Sequence, residues 1–269
     1  MPIADRRTRR RLADARLTSA PKIPAAAARG TRRVSTPYGA TVDTAAASPE
    51  PDCPLSGDLA RLASWWHEHR PREEMQVHWL EPTGDETDVV AELDRMIDAG
   101  STLVVIHYEG NDDECIAARA TIARITRSDA AAIFAQPPEM DDLTWMRTVA
   151  AIRDARAGGI ESALVTGLSS AFIRCSERRT PVLFDGVIAH AAALQAGIEE
   201  PGIGQWWLPA ASCTDPAIDR AHAHMANPPA LDLHLDGRGA AGLRAVLAVL
   251  PELAQLAELE LPDGVTEEN

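Results

Sequence analysis

The chain has 269 residues, of which 45% are hydrophobic and 25% are charged. This is the composition of a globular protein, long enough for one sizeable α/β domain or two small ones. No apolar stretch approaches the roughly 20 residues that span a bilayer, so we predict no membrane segment. Four widely spaced cysteines without a CxxC pair argue against a zinc site or a disulfide framework and favour a reducing, cytoplasmic setting.

The net charge of −14 is unevenly distributed along the chain. Residues 1–33 carry ten basic and two acidic side chains, so their net charge is +8 and the rest of the chain carries −22. So acidic a body predicts no nucleic-acid partner. Residues 1–54 have little periodic apolar pattern, and we interpret them as a disordered basic tail before an α/β domain at residues 55–269. The alternatives for this tail are a transit peptide or a nucleic-acid-binding arm.

From residue 55 onwards, helical and strand patterns alternate. A helix with apolar residues at helical spacing opens the domain at residues 55–69. The predicted strands cover residues 75–82, 101–108, 130–138 and 182–184, and the predicted helices cover residues 85–100, 114–126, 141–159, 160–179 and the stretch after residue 186. Strands that alternate with helices predict an α/β fold, a parallel sheet with helices on both faces.

Three predicted strand ends should meet at one edge of this sheet. They are residues 107–114, 135–142 and 184–186. Ligands of open α/β sheets bind beyond the carboxyl ends of the strands. In the last of the three, Asp185 can accept a hydrogen bond from a ligand and Gly186 allows a close approach of the backbone. The alternative is that Asp185 only caps the following helix.

Collinear segments across roughly residues 83–265 resemble one enzyme family. They include "STLVVIHYEGNDDECIAARA", "TPVLFDGVIAHAAALQA", "PGIGQWW", "LDLHLDGRGAAGLRAVL" and "LPDGV". Together they are similar to the nicotinate-nucleotide–dimethylbenzimidazole phosphoribosyltransferases. The resemblance implies a Rossmann-like three-layer α/β fold with a small helical part, and a homodimer. It also implies transfer of a phosphoribosyl group from nicotinate mononucleotide to 5,6-dimethylbenzimidazole, whose product becomes the lower ligand of cobalamin.

The residues that would hold the nucleotide phosphate depart from the family pattern. A phosphate needs backbone N–H donors from a glycine-rich loop at a helix N-terminus, and a cation. In "YEGNDDEC" Gly110 is kept, but the second family glycine falls on Asp112 and the Asn-Thr-Thr of the family falls on residues 113–115. The second family loop is "FAQPPEM", which has no glycine, and the family lysine falls on Thr148 beside Arg147.

The general base of the family is also displaced. With a two-residue deletion the family glutamate falls on Arg238, and Asp236 is the only carboxylate close enough to replace it. We therefore predict Asp236 as the catalytic candidate. The predicted substrate-binding residues are Glu109, Gly110, Arg147, Asp185, Gly186 and Arg238.

Our leading hypothesis is a short, diverged and catalytically degenerate member that keeps a scaffold for a nucleotide- or base-like ligand or for a partner. That partner is a second copy or a complete homologue. The alternative is an active pentosyltransferase in which Asp236 or Asp185 is the base and Arg147 and Arg238 hold the phosphate. A third hypothesis is a structural partner whose acidic surface and basic tail mediate assembly.

We predict no cofactor and no metal site. The acidic residues between positions 109 and 114 could bind a divalent cation, but they lack the spacing of a known calcium loop and are interpreted as a solvated loop. His222 and His224 are two residues apart and point in different directions on a helix, which argues against a two-histidine metal site.

Overall fold

The computed structural model describes residues 57–69, 75–80, 86–160, 162–235 and 240–260. The predicted basic tail at residues 1–54 and the predicted site residues Asp236 and Arg238 lie outside these ranges. Within the described ranges, no helix combines the length and the hydropathy that crossing a bilayer requires.

Fourteen regular elements build the described part of the domain. The helices are α1 Gly57–His69, α2 Glu86–Asp98, α3 Asp112–Thr126, α4 Asp142–Gly158, α5 Ala163–Glu177, α6 Val187–Glu199, α7 Pro216–Met225 and α8 Ala241–Glu260. The strands are β1 Val77–Leu80, β2 Leu103–His107, β3 Val182–Asp185, β4 Trp207–Pro209, β5 Ala211–Cys213 and β6 Leu231–Leu235. The helices predicted up to residue 179 and the strands at residues 75–82, 101–108 and 182–184 are confirmed with shifted ends.

The main sheet is parallel and has the strand order β1-β2-β3-β4. β2 and β3 are the two central strands, and their last residues, His107 and Asp185, lie directly opposite each other in the register. Strands β5 and β6 form a separate two-stranded parallel sheet. The carboxyl ends of β2 and β3 therefore meet at one edge, as the sequence predicts for residues 107 and 185.

Alternating side chains of the central strands pack into two hydrophobic cores, one on each face of the sheet. On β2, Val104 and Ile106 join the core covered by α2 to α7. Leu103 and Val105 join the opposite core, which α1 and α8 cover. Strands buried on both faces read as continuous apolar runs, which is why β2 is aliphatic from Leu103 to Ile106. The prediction of a parallel α/β sheet with helices on both faces is confirmed.

The prediction of a strand at residues 130–138 is wrong. This stretch begins with a 3-10 turn at Ala130–Ala132 and continues as a loop. The main sheet consists of β1, β2, β3 and β4 and does not include this stretch. The apolar residues anchor the loop instead: Ile133 is fully buried, and the Trp145 indole N–H donates to the Phe134 carbonyl at 3.0 Å. The strand that extends the sheet beyond β3 is β4, which the sequence analysis did not predict.

Candidate functional site

A cleft of about 970 Å³ opens at the carboxyl edge of the main sheet. Its walls come from the residues after β2, the loop at 134–140, and the first turns of α3, α4, α6 and α7. Two of the three predicted strand ends contribute to it as strands, and the 134–140 loop reaches the same place without forming a strand. The position agrees with the general location of ligand sites in open α/β sheets.

The turn after β3 places Gly186 on the cleft wall and buries Asp185 behind it. The Asp185 side chain accepts the Gly186 N–H at 2.8 Å, and Gly186 has a positive φ of 90°. Burial raises the pKa of the Asp185 carboxyl, and the Gly186 N–H and nearby His107 act in the opposite direction. A Cβ added at Gly242 would lie 2.8 Å from Asp185 Oδ2, so the start of α8 covers this carboxylate. Asp185 is not a helix cap, because the N-cap of α6 is Gly186 without a side-chain hydrogen bond.

The last residue of β2, His107, faces the β3 turn. Its Nδ1 lies 3.3 Å from the Asp185 carbonyl oxygen, which can only accept, so Nδ1 carries the proton. The other ring nitrogen, Nε2, is buried and has no hydrogen-bond partner within the described residues. Glu109 Oε1 lies 4.0 Å from that nitrogen. Sequence analysis missed His107 as a site residue, and the available signal was an imidazole that ends an otherwise aliphatic strand.

The loop between β2 and α3 is fixed by a glycine and by its own side chains. Gly110 has a φ of 69°, which favours glycine, and a Cβ there would lie 2.4 Å from Ile188 Cδ1, so a side chain would force Ile188 to move. Asn111 is the N-cap of α3: its side chain accepts the Glu114 N–H at 3.0 Å, and the Glu114 side chain accepts the Asn111 N–H at 2.8 Å. This capping box occupies backbone donors that a phosphate would need. Glu109, beside it, lines the cleft.

Two further helices that line the cleft begin with a capping carboxylate. At α4, Asp141 accepts both the N–H and the hydroxyl of Thr144, at 3.0 and 2.7 Å, and these bonds lower the pKa of Asp141. At α7, Asp215 accepts the Ala217 N–H at 2.9 Å. The N-termini of α3, α4 and α7 are thus capped from within the chain. In each cap, the side-chain carboxylate or amide accepts a hydrogen bond from a backbone N–H.

The charge of the cleft is dominated by carboxylates. Arg119 is the one arginine or lysine among the described residues that line it, and its guanidinium pairs with Asp215 and lies 5.1 Å from the Phe134 ring centroid. The carboxylates on the wall are those of Glu109, Asp112, Glu139 and Asp215. Thr148 lines the cleft, whereas Arg147 is exposed on α4 and is not among the described lining residues. The structure brings Glu109 and Gly186 together at the cleft, and Gly110 packs just behind it.

A buried histidine, His190, and a half-buried one, His222, form a pair beside the β3 turn. His190 Nδ1 donates to the Gly186 carbonyl at 2.8 Å, and His190 Nε2 lies 2.8 Å from His222 Nε2. Burial, and secondarily His222, lowers the pKa of His190 to about 3, and burial lowers the pKa of His222 to about 4. Both rings are neutral at pH 7, and His222 supplies the shared proton. Sequence analysis missed His190, although it is the single polar residue in the buried start of α6.

Strand β6 ends at Leu235, the residue that precedes the predicted base Asp236 in the sequence. Ser212 Oγ donates to Asp232 at 2.6 Å and accepts the His234 N–H at 2.9 Å, which ties β5 to β6. The described chain stops at Leu235 and resumes at Ala240, so the structure does not describe Asp236 and Arg238. Among the described residues, no group of three or more His, Cys, Asp or Glu side chains is arranged to hold a metal ion.

Comparison with known proteins points to one group of enzymes. A family model described as phosphoribosyltransferase matches residues 91–258. The chain is similar to the nicotinate-nucleotide–dimethylbenzimidazole phosphoribosyltransferase of Mycobacterium tuberculosis (strain ATCC 25618 / H37Rv), with 32% identity over 188 residues, 61% of this chain and 51% of the relative. The corresponding enzyme of Mycobacterium leprae (strain TN) is 31% identical over 188 residues, 61% of this chain and 52% of the relative. The chain therefore spans about half the length of the curated relatives it matches.

Solved structures agree on the fold. The crystal structure of CobT from Thermus thermophilus superposes with a TM-score of 0.57 at 18% identity, over 66% of this chain and 59% of that chain. A second structure from the same organism, titled as the nicotinate-nucleotide–dimethylbenzimidazole phosphoribosyltransferase, gives a TM-score of 0.56 at 19% identity, over 64% and 55% of the two chains. At this identity the likeness extends to the fold and no further.

Proposed function

The chain belongs to the nicotinate-nucleotide–dimethylbenzimidazole phosphoribosyltransferase family as a shorter, diverged member, and from this premise we propose that it binds a heteroaromatic base without transferring a phosphoribosyl group. In this proposal the cleft at the carboxyl edge of the sheet remains a ligand site linked to the assembly of the cobalamin lower ligand. The nucleotide that carries the phosphoribosyl group is excluded from it.

The self-capped start of α3 is the observation that carries this proposal. Asn111 and Glu114 satisfy each other's backbone donors, and Asp112, Asp113 and Glu114 place three carboxylates in the first helical turn. Two unit charges of the same sign about 4 Å apart repel by about 4 kcal/mol at an effective dielectric constant of about 20. A nucleotide phosphate at this turn would face repulsion where the family pattern offers glycine and hydroxyl groups.

The rest of the wall suits a flat base with an N–H group. Apolar side chains supply most of the contact surface, among them Ile116, Phe134, Pro137, Met140 and Val187. The carboxylates on the same wall accept hydrogen bonds and attract positive charge. A neutral or cationic heteroaromatic ring, such as a benzimidazole, meets both conditions, whereas a phosphorylated nucleotide meets only the first.

Calorimetry and a turnover assay with the full chain test this proposal together. We expect benzimidazole or 5,6-dimethylbenzimidazole to bind and nicotinate mononucleotide not to bind. The turnover assay should yield no nicotinate and no α-riboside phosphate. An intact family enzyme, assayed in parallel, is the positive control. Product that disappears in Asp236→Asn would instead support the competing proposal of an active transferase. In that enzyme, Asp236 or Asp185 serves as base, and Arg147 and Arg238 hold the phosphate.

Rebuilding the family loop gives a gain-of-function test. The variant combines Asp112→Gly, Asp113→Asn, Glu114→Thr and Cys115→Thr, which returns the family pattern to residues 112–115. We expect the affinity for nicotinate mononucleotide to rise by about tenfold or more, because three carboxylates are removed from the phosphate position. The matched control removes three exposed carboxylates elsewhere, through Asp154→Asn, Glu199→Gln and Glu200→Gln. An equal gain in this control would show that net charge alone sets the affinity.

The proposal includes a protein partner, which is a second copy or a complete homologue. Leu143 and Met146 support it, because they lie one turn apart on α4 and remain 55% and 60% exposed. Thr144 and Thr148 of the same helix line the cleft, so the exposed apolar pair lies on an adjoining side of a helix that borders it. Analytical ultracentrifugation of the wild type and of Met146→Glu, alone and mixed with a full-length relative, tests this part. A wild-type protein that stays monomeric and does not bind the relative would disprove the proposed partner.

A further inference from the structure

The orientation of His107 leaves one polar atom of the cleft wall without a partner. The Asp185 carbonyl fixes the proton on Nδ1, so in the neutral ring Nε2 carries a lone pair and can only accept. That atom is buried and has no hydrogen-bond partner among the described residues, although the side chain belongs to the cleft wall. A buried acceptor left unpaired costs stability, which a bound donor would restore.

The ring cannot easily turn away from this position. The His107 side chain is only 12% exposed, and a Cβ added at Gly186 would lie 3.4 Å from its Nδ1, so the imidazole packs against the glycine of the β3 turn. The unpaired nitrogen is therefore held at one place by the strand register and by the neighbouring turn. A rigid, preoriented acceptor is the usual basis of selectivity for a polar group on a ligand.

A second acceptor lies close by on the same wall. Glu109 Oε1 is 4.0 Å from His107 Nε2, which is too far for a direct hydrogen bond. A ring nitrogen about 2.9 Å from each acceptor would share its one N–H between them as a three-centre hydrogen bond. The Glu109 side chain is 72% exposed, so it can rotate to admit the ligand.

We propose that His107 Nε2 and Glu109 form a two-acceptor clamp that selects a heteroaromatic ligand by its ring N–H. The clamp rests on the proposed function, since it orients the same base in the same cleft. It adds a direction: the N–H edge of the ring points to the end of β2, and the apolar edge points to the 134–140 loop. His107 is the specificity-determining residue, and Glu109 strengthens the preference for a donor or a cation.

Two probes of the same shape separate the clamp from general ring binding. Benzimidazole has the ring N–H, and benzoxazole has a ring oxygen in its place. Isothermal titration of the full chain should show benzimidazole binding at least about tenfold more tightly, because the oxygen leaves both acceptors unpaired. In His107→Phe the ratio should fall to near one, and in Glu109→Gln it should fall about threefold. The matched control His224→Phe, at an exposed site on α7, should keep the wild-type ratio.

Each outcome decides the clamp. A wild-type ratio near one, or a ratio that persists in a folded His107→Phe, overturns it while base binding itself survives. No binding of either probe overturns the proposed function as well. If His107→Phe does not fold, ¹⁵N NMR of the wild-type imidazoles replaces it. The Nε2 resonance of His107 should then shift on saturation with benzimidazole and not with benzoxazole, and an unchanged resonance overturns the clamp.

Discussion

The turns after β2 and β3 lie side by side, and each holds a glycine at positive φ, but they treat charge in opposite ways. The β2 turn is exposed and acidic: Asn111 and Glu114 cap α3, and the carboxylates face solvent and the cleft. The β3 turn buries its carboxylate, Asp185, and gives its own N–H to it. The β3 turn therefore keeps its carboxylate inside the protein, whereas the β2 turn presents its carboxylates at the mouth of the cleft.

Glycine removal should disturb the β2 turn most. Gly110→Ala places a Cβ 2.4 Å from Ile188 Cδ1 and also strains a φ of 69°. We expect the free energy of unfolding to fall by about 3 kcal/mol, from overpacking and backbone strain together. Urea denaturation measures it, with Gly159→Ala as control, because that glycine has a φ of 61° with open space around it. Equal losses of unfolding free energy in the two variants would show that packing against Ile188 is not the cause.

Acid should weaken the β3 turn through the histidine pair. The folded pKa values of His190 and His222 lie at about 3 and about 4, below the ordinary value of 6.5. Their contribution to stability is therefore complete above pH 6.5 and is lost as the pH falls through about 4 for His222 and about 3 for His190. Each imidazole contributes a slope of up to about 1.4 kcal/mol per pH unit in that window.

The pH dependence of urea denaturation tests this prediction in His222→Gln. We expect a shallower slope between pH 6.5 and 4 than in the wild type, because one of the two titrating groups is gone. His224→Gln is the control, since His224 is exposed on the same helix. If His224→Gln shows a slope as shallow as that of His222→Gln, the loss of any histidine charge, and not burial of His222, explains the change in slope.

Removing the buried charge of the β3 turn should have a smaller effect of the opposite sign. Burial raises the folded pKa of Asp185, so the stability it provides is complete below the unfolded pKa and is lost as the pH rises through the folded pKa. Asp185→Asn should therefore raise the free energy of unfolding at pH 7 by about 1 kcal/mol. The gain should vanish near pH 3.5, below the unfolded pKa, and a loss at pH 7 would mean that the charge is needed by the turn.

The smallest effect should come from the exposed charge of the β2 turn. Asp113 lies in the first turn of α3, where a carboxylate interacts favourably with the helix dipole. Asp113→Asn should lower the free energy of unfolding by about 0.5 kcal/mol, and less at high salt. Denaturation at low and at high ionic strength measures both parts. A change as large as that of Gly110→Ala would mean that Asp113 contributes more to stability than its interaction with the helix dipole.

Local patterns in the sequence determined most of the fold and part of the site. The periodicity of apolar residues gave the helices and the buried strands, and their alternation gave the parallel sheet, since both depend on neighbours within a few turns. The placement of Glu109 and Gly186 at one edge followed from strand direction alone. The family resemblance across residues 83–265 agreed with the parallel α/β fold and with a site at the carboxyl edge of the sheet.

Tertiary structure alone decided which distant groups meet. The apolar stretch at 130–138 stays outside the sheet and β4 pairs with β3, because strand pairing depends on the whole sheet and not on one segment. The β2–β3 register set His107 opposite Asp185, and packing of α6 on α7 brought His190 to His222. Such partners are separated by tens of residues, and no local pattern encodes their distance or their protonation.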